Sequence, residues 1–137
     1  LGGVKIPFHS GLKGHSDGDV ILHSIIDALL GAMRKRDIGT FFPDNKKKFK
    51  NIRSPKLLKP IIKILNKNDF YINNLDINLI CEQPKVSKYR DKIISSLSNL
   101  INLDKNLINL KGKTVEKLGL IGKEKAIACE VICSISQ

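Results

Sequence analysis

The sequence predicts a single α/β domain, an α+β two-layer sandwich in which one mainly β-sheet layer is covered by helices on one face. Two observations lead to this prediction. Segments with helical spacing of apolar residues interleave with segments of strand-like alternation along one short chain. The 137 residues also contain no internal repeat, Gly/Ser linker or abrupt change in composition that would divide them. Because the second face of the sheet needs cover too, we expect a homo-oligomer.

The predicted order is strand, helix, helix, strand, helix, strand, strand. The opening Leu1–Ile6 reads as the end of a loop followed by a strand. Because residue 1 is Leu rather than Met, we expect the chain to lack its natural N-terminal strand. A cap at Asp17–Asp19, followed by apolar residues at helical spacing, predicts a helix from Asp19 to Arg34. The following segment, Asp37–Asp44, is predicted to be a structured loop.

Ser54 and Pro55 predict the start of a second helix, as a cap followed by proline at the first helical position. Helical spacing continues to Leu65, with a perturbation of the first turn expected at Pro60. Apolar and polar residues then alternate from Leu75 to Cys81. This alternation predicts a half-buried strand.

The last third of the chain carries one helix and two strands. The spacing of apolar residues predicts a helix from Tyr89 to Ile101, and a short strand is predicted from Leu107 to Lys111. The segment Ala126–Ile135 is apolar on nearly both faces. We therefore expect it to be a central strand, since central strands are buried on both sides.

The formal net charge of +11 admits two interpretations. Lysine clusters such as Lys46–Lys50 attract phosphates, which would suit a basic phosphate- or nucleic-acid-binding module without catalysis. Alternatively, the charge is a compositional bias, because Lys greatly outnumbers Arg and phosphate or base recognition favours the bidentate Arg fork. The sequence contains neither a membrane-spanning apolar run nor a signal-peptide core. Its three cysteines lack CxxC spacing, which favours buried free thiols.

Chemically capable side chains concentrate around the first predicted helix. They are His15, Ser16, Asp17, Asp19, His23 and Asp27. The spacing of Asp19, His23 and Asp27 places them on one helix face, where Asp27 can orient a zinc-binding His23. His15 and Asp17 precede the helix, whose free N–H groups favour an anion. The residues alone leave two possibilities, a metal or phosphate site and an ordinary capped surface helix, since one histidine cannot supply the three ligands of catalytic zinc.

A second candidate lies in Lys111–Gly122, a glycine-punctuated loop with a hydroxyl, a carboxylate and lysines. Such a loop can cradle a diphosphate and its magnesium ion. It matches neither the P-loop nor the dinucleotide fingerprint. A solvated surface loop is the alternative.

Several segments together resemble one known family. They are LGGVKIP, GHSDGDVILHSIIDALLGA, DIGTFFPD, QPK, TVEKLGLIG and AIACE. In this order and separation they are similar to the 2-C-methyl-D-erythritol 2,4-cyclodiphosphate synthases, nearly end to end. The resemblance implies a homotrimer with active sites at subunit interfaces. In each site the substrate's 2-phosphate would attack the β-phosphate of its own cytidine-diphosphate group and release CMP. It also implies zinc to polarise that phosphate and magnesium or manganese to bridge the diphosphate.

The resemblance further implies roles for individual residues. His23 would be a zinc ligand, with the other two ligands on an Asp-x-His that this chain does not contain, and Glu116 would bind the second divalent metal. His15, Thr114 and Glu116 would be catalytic. One group would bind the phosphate and methylerythritol end of the substrate: His15, Ser16, Asp37, Ile38, Gly39, Phe42 and Asp44. A second group, from the neighbouring subunit, would bind the cytidine and diphosphate: Cys81, Pro84, Lys85, Val86, Gly112, Lys113 and Thr114.

Three positions depart from the family pattern. Lys113 stands where threonine is usual, and Leu120 and Lys123 stand where Phe and Arg commonly line a central cavity. With two zinc ligands missing, an inactive fragment of the enzyme is a further alternative. The Lys, Asn and Ile bias suits an AT-rich genome. We therefore expect a bacterial cytoplasm as the location, with a plastid stroma as the alternative.

Overall fold

The computed structural model describes residues 1–137. Its principal elements are α1 (Val20–Ala32), α2 (Ile38–Phe41), α3 (Ser54–Lys67), β1 (Tyr71–Ile80), α4 (Arg90–Ile101), β2 (Ile108–Lys113), α5 (Gly119–Gly122) and β3 (Ala128–Ser136). Short 3-10 turns lie at Lys47–Phe49, Val86–Lys88 and Lys105–Leu107. The predicted α/β class is confirmed, and the long helices begin and end within about two residues of their predicted positions.

The sheet has three strands in the order β2-β1-β3. Strand β1 runs parallel to β2, with Ile77 opposite Leu110, and antiparallel to β3, with Ile77 opposite Val131. The prediction that the last strand is central was wrong, because β1 holds that position and β3 lies at an edge. Its inward residues are half-buried, whereas the outward-facing Ile132 is 71% exposed. The outward face of β3 is thus exposed, and apart from Ile132 its residues Glu130, Ser134 and Ser136 are polar.

Leu1–Ile6 forms no strand, contrary to expectation. Gly2 and Gly3 have positive φ angles of 61° and 78°, which turn the chain at its start. Their N–H groups donate to the buried Asp19 carboxylate at 2.8 and 2.7 Å. This turn is therefore fastened to the residue that also caps α1.

Helix α1 is the centre of the core. Its residues Ile21, Leu22, Ile25, Ile26, Leu29 and Leu30 are all fully buried. The helix packs against β3 on one side and α3 on the other. Asp19 caps it by accepting a hydrogen bond from the Leu22 N–H at 3.2 Å. The helix that carries His23 is consequently held on several sides.

The remaining predictions need small adjustments. The Asp37–Asp44 loop contains the one-turn helix α2, and Ser54 is the first residue of α3 rather than its cap.

All three cysteines are free, as expected. Burial raises the pKa of each thiol, in the case of Cys129 to about 11, so these thiols stay protonated at neutral pH. None of the helices has the length and apolar character needed to cross a bilayer.

Candidate active site

A cavity of about 510 Å³ lies beside the start of α1. Most of the residues predicted for the phosphate and methylerythritol end line it, together with the predicted zinc ligand. They are His15, Ser16, Ile38, Gly39, Phe42, Asp44 and His23. The loop before α1, the loop after it and the helix itself therefore meet at this cavity.

Backbone contacts fix the loop that carries His15 and Ser16. The His15 carbonyl accepts a hydrogen bond from the Asn51 N–H at 2.8 Å, and the Asp17 N–H donates to the Ile52 carbonyl at 3.2 Å. Gly18 has a φ of +70°, and a Cβ there would lie 2.8 Å from Leu12 Cβ. A side chain at residue 18 would thus clash with Leu12 and displace this part of the loop.

Asp37 does not line the cavity. Its carboxylate accepts a hydrogen bond from the Thr40 N–H at 2.7 Å and so caps α2. The hydrogen bonds from Thr40 hold the pKa of Asp37 below its ordinary value. In this chain Asp37 therefore supports the backbone that presents Ile38 and Gly39, and its predicted contact with substrate hydroxyls stays a prediction.

His23 takes part in a side-chain network at the base of the cavity. Its Nε2 lies 2.9 Å from Ser16 Oγ and 2.9 Å from Ser54 Oγ. The Ser54 hydroxyl also donates to Asp17 Oδ1, and the Ser54 N–H donates to Asp17 Oδ2 at 2.9 Å. Asp27, predicted to orient His23, instead accepts a hydrogen bond from the Ile38 N–H at 2.7 Å. The contacts that orient His23 come from Ser16 and Ser54.

The pKa of Asp17 reflects two opposing effects. Loss of water around the carboxylate raises the pKa, although the residue remains partly exposed to solvent. Hydrogen bonds from the Ser54 hydroxyl and N–H outweigh this effect and leave the pKa below its ordinary value. Asp17 is therefore a carboxylate at neutral pH.

The side chains of this chain do not by themselves form a zinc site. No three His, Cys, Asp or Glu residues among residues 1–137 converge at metal-binding distance. Catalytic zinc takes three protein ligands, and His23 would supply one of them at most.

A second cavity, of about 220 Å³, lies between β2 and the Val86–Lys88 turn. All seven residues predicted for the cytidine and diphosphate group line it: Cys81, Pro84, Lys85, Val86, Gly112, Lys113 and Thr114. Gly112 is required by close packing, since a Cβ there would lie 2.8 Å from Val86 Cβ. The two cavities share no lining residue.

Glu116 sits in an exposed turn that follows β2. Glu116 and Lys117 both have positive φ angles, 54° and 62°. The Glu82 carboxylate secures this turn, because its Oε1 accepts hydrogen bonds from the Val115 N–H at 3.0 Å and the Lys117 N–H at 3.1 Å. Sequence reasoning missed Glu82, since a carboxylate before Gln83 carries no spacing signal for a loop more than thirty residues away. Leu120 and Lys123, two of the three departures from the family pattern, lie exposed beyond this turn.

This anchor predicts a pH-dependent loop. Hydrogen bonds from the Lys117 and Val115 N–H groups lower the pKa of Glu82 below its ordinary value of 4.5. Because the pKa is lower in the folded protein, the stabilisation is complete above 4.5 and is lost as the pH falls through the folded value. We expect the amide proton shifts of Val115 and Lys117 to titrate together in this acidic range. In Glu82→Gln, where no carboxylate titrates, the same two shifts should stay constant.

The chain is similar to known proteins over nearly its whole length. The YgbB family model matches residues 1–136. The chain is 57% identical to a bifunctional enzyme IspD/IspF of Pelagibacter ubique over 98% of the chain and 36% of that protein. It is 47% identical to a 2-C-methyl-D-erythritol 2,4-cyclodiphosphate synthase of Clostridium botulinum, over 98% of the chain and 86% of that protein. The chain thus spans about a third of the length of its bifunctional relatives and most of the shorter one.

Solved structures give the same result. The bifunctional IspDF of Campylobacter jejuni matches with a TM-score of 0.91 and 39% identity, over 98% of the chain and 36% of that structure. An IspF of Plasmodium falciparum in complex with CDP matches with a TM-score of 0.78 and 43% identity, over 90% of the chain and 73% of that structure. The family model, the identities and the folds agree over nearly the whole chain. The chain therefore belongs to the YgbB family.

Proposed function

We propose that the chain catalyses the cyclodiphosphate synthase reaction, in which a 2-phosphate attacks the β-phosphate of a cytidine-diphosphate substrate and CMP leaves. One observation carries the proposal. Thirteen of the fourteen residues predicted to bind substrate line two cavities, six in the first and seven in the second. Relatives carry the synthase name, and the Plasmodium falciparum structure contains CDP. By this analogy the second cavity takes the cytidine-diphosphate group.

In this reaction the protein's main task is to position two phosphates of one substrate molecule. The nucleophile and the reacting phosphorus belong to the same substrate, so no covalent enzyme intermediate is needed. His15 and Ser16 would hold the attacking 2-phosphate beside the N-terminus of α1, whose N–H groups favour an anion. Thr114 and Lys113 would contact the diphosphate, and Glu116 would orient it from the neighbouring turn. Correct placement of the reacting groups supplies a large part of the rate gain in such reactions.

The proposed active site joins two copies of the chain. Within one chain the two cavities have no lining residue in common. The outward face of β3 carries the exposed Ile132, which a neighbouring copy would cover. A homotrimer closed by a heterologous interface would pair the first cavity of one copy with the second cavity of the next.

Relatives from bacteria make a bacterial cytoplasm the proposed location.

Metal ions belong to the proposal. His23 would be one zinc ligand, and Glu116 would bind magnesium or manganese. A divalent ion in such a site polarises a phosphoryl oxygen.

We expect His23→Ala to lower the zinc content of the protein by about tenfold or more, because one of three protein ligands is lost. Metal analysis after gel filtration measures this, with His9→Ala as the control. Zinc retained at the level of the parent protein would rule out the ligand assignment.

A further inference from the structure

Asp17, Ser54 and His23 form a hydrogen-bonded series that determines the proton position on the imidazole as well as its orientation. Ser54 is fully buried at the start of α3 and lies between the other two side chains. We infer that Asp17 and Ser54 are positioning residues that hold His23 with its proton on Nε2 and leave Nδ1 as the nitrogen that meets a ligand. The functional consequence rests on the proposed function, but the arrangement of protons does not.

The direction of the hydrogen bonds begins at Asp17. Oδ1 accepts from the Ser54 hydroxyl and from the Asp19 N–H at 3.2 Å, and Oδ2 accepts from the Ser54 N–H at 2.9 Å. Both oxygens are therefore acceptors, and neither has a proton to donate. A serine hydroxyl has a single proton. Since Asp17 accepts that proton, Ser54 can only act as an acceptor towards His23.

Nε2 must then supply the proton between His23 and Ser54. In the opposite tautomer the lone pair of Nε2 would face a lone pair of Ser54 Oγ across 2.9 Å, with no proton between them. Ser16 Oγ, also 2.9 Å from Nε2, accepts the same N–H in a shared hydrogen bond. Its own hydroxyl proton is then free for a substrate oxygen.

The other ring nitrogen has the complementary character. Nδ1 of His23 makes no hydrogen bond within the chain. Among side-chain nitrogens and oxygens, only Asn78 Oδ1 is both buried and without a partner, so Nδ1 of His23 keeps some exposure to solvent. His23 itself lines the first cavity. A neutral imidazole protonated on Nε2 presents the Nδ1 lone pair, which binds a cation or accepts a proton.

Nuclear magnetic resonance tests this inference without substrate or turnover. The sequence has three histidines, so a long-range proton–nitrogen spectrum of the ¹⁵N-labelled protein is readily assigned with a His23→Gln variant. In mildly alkaline buffer we expect Nε2 of His23 to resonate as a protonated nitrogen and Nδ1 as an unprotonated one. The reverse pattern, or an even mixture, would overturn the inference.

Variants distinguish the effect of Asp17 and Ser54 on the His23 protons from that of other neighbouring groups. In Ser54→Ala the Nδ1 resonance should move towards the protonated range, because Nε2 loses its buried acceptor. Ser24→Ala is the matched control, because Ser24 lies next to His23 on α1 and its hydroxyl donates to the Cys129 carbonyl of β3. This substitution should leave both His23 resonances in place. If Ser54→Ala does not fold, Asp17→Asn should give the same displacement. Unchanged resonances in a folded variant would remove Asp17 and Ser54 from this role, whatever the rate of CMP release.

Discussion

Gly122→Ala is expected to lower the rate of CMP release by about 100-fold, the cost of misplacing catalytic groups by roughly an ångström. A Cβ at residue 122 would lie 2.5 Å from the Lys117 carbonyl oxygen and closer still to the carbonyl carbon. Backbone atoms cannot rotate away as a side chain can, so the turn around Lys117 must move. Glu116 is the adjacent residue and would move with it. The second half of the proposed site would thereby lose its geometry.

The control for this substitution is Gly31→Ala. A Cβ at Gly31 meets nothing within 4 Å, and the residue lies near the end of α1. Alanine there should leave CMP release unchanged and stabilise the fold by about 0.5–1 kcal/mol, because glycine is a poor helix former. A Gly122→Ala enzyme that keeps the parent rate would show that the Glu116 turn takes no part in catalysis.

Ile25→Ala is expected to reduce the free energy of unfolding by about 2–5 kcal/mol, the usual cost of truncating a buried isoleucine. Ile25 is fully buried on α1, which packs against both β3 and α3. The neighbouring backbone is fixed on several sides and cannot collapse fully into the space left behind. Because domains of this size are stable by only about 5–15 kcal/mol, a large share of the stability would be lost.

Urea denaturation followed by circular dichroism measures this change. Leu107→Ala is the control, since Leu107 is 42% exposed and lies outside the core helices. Its free energy of unfolding should stay within about 0.5 kcal/mol of that of the parent protein. Equal losses for the two variants would contradict the assignment of α1 as the centre of the core.

The sequence predicted the helices well because their apolar spacing is strong. For β3 the pattern misled, since an apolar residue such as Ile132 suggests burial in the sequence although the fold leaves it 71% exposed. The prediction for Leu1–Ile6 failed for a different reason: the positive φ angles of Gly2 and Gly3 turn the chain, and Asp19 fastens that turn. Local spacing carries no information about such distant contacts.

The same limit applies to the site. Family motifs predicted which residues line the two cavities, but not the residues that hold them in place. Ser54 looked like a helix cap and proved to be the buried partner of His23 and Asp17. Glu82 had no recognisable signal and secures the Glu116 turn. Long-range hydrogen bonds of this kind appear only once the chain is folded. The net charge of +11, by contrast, was compatible with a phosphate-binding module and with a compositional bias, and it did not identify the family.

The proposal of an active site shared between copies is tested most directly by mixing two inactive variants of the full-length protein. His15→Ala damages the first cavity, and Glu116→Ala damages the turn beside the second. Each alone should release CMP about 100-fold more slowly than the parent protein. In trimers reassembled from both, roughly a quarter of the interfaces would combine two intact halves if the chains mix at random. We predict recovery of CMP release towards that fraction, and none when either variant is reassembled with itself. Mixed trimers that form but remain as slow as the single variants would contradict a shared site.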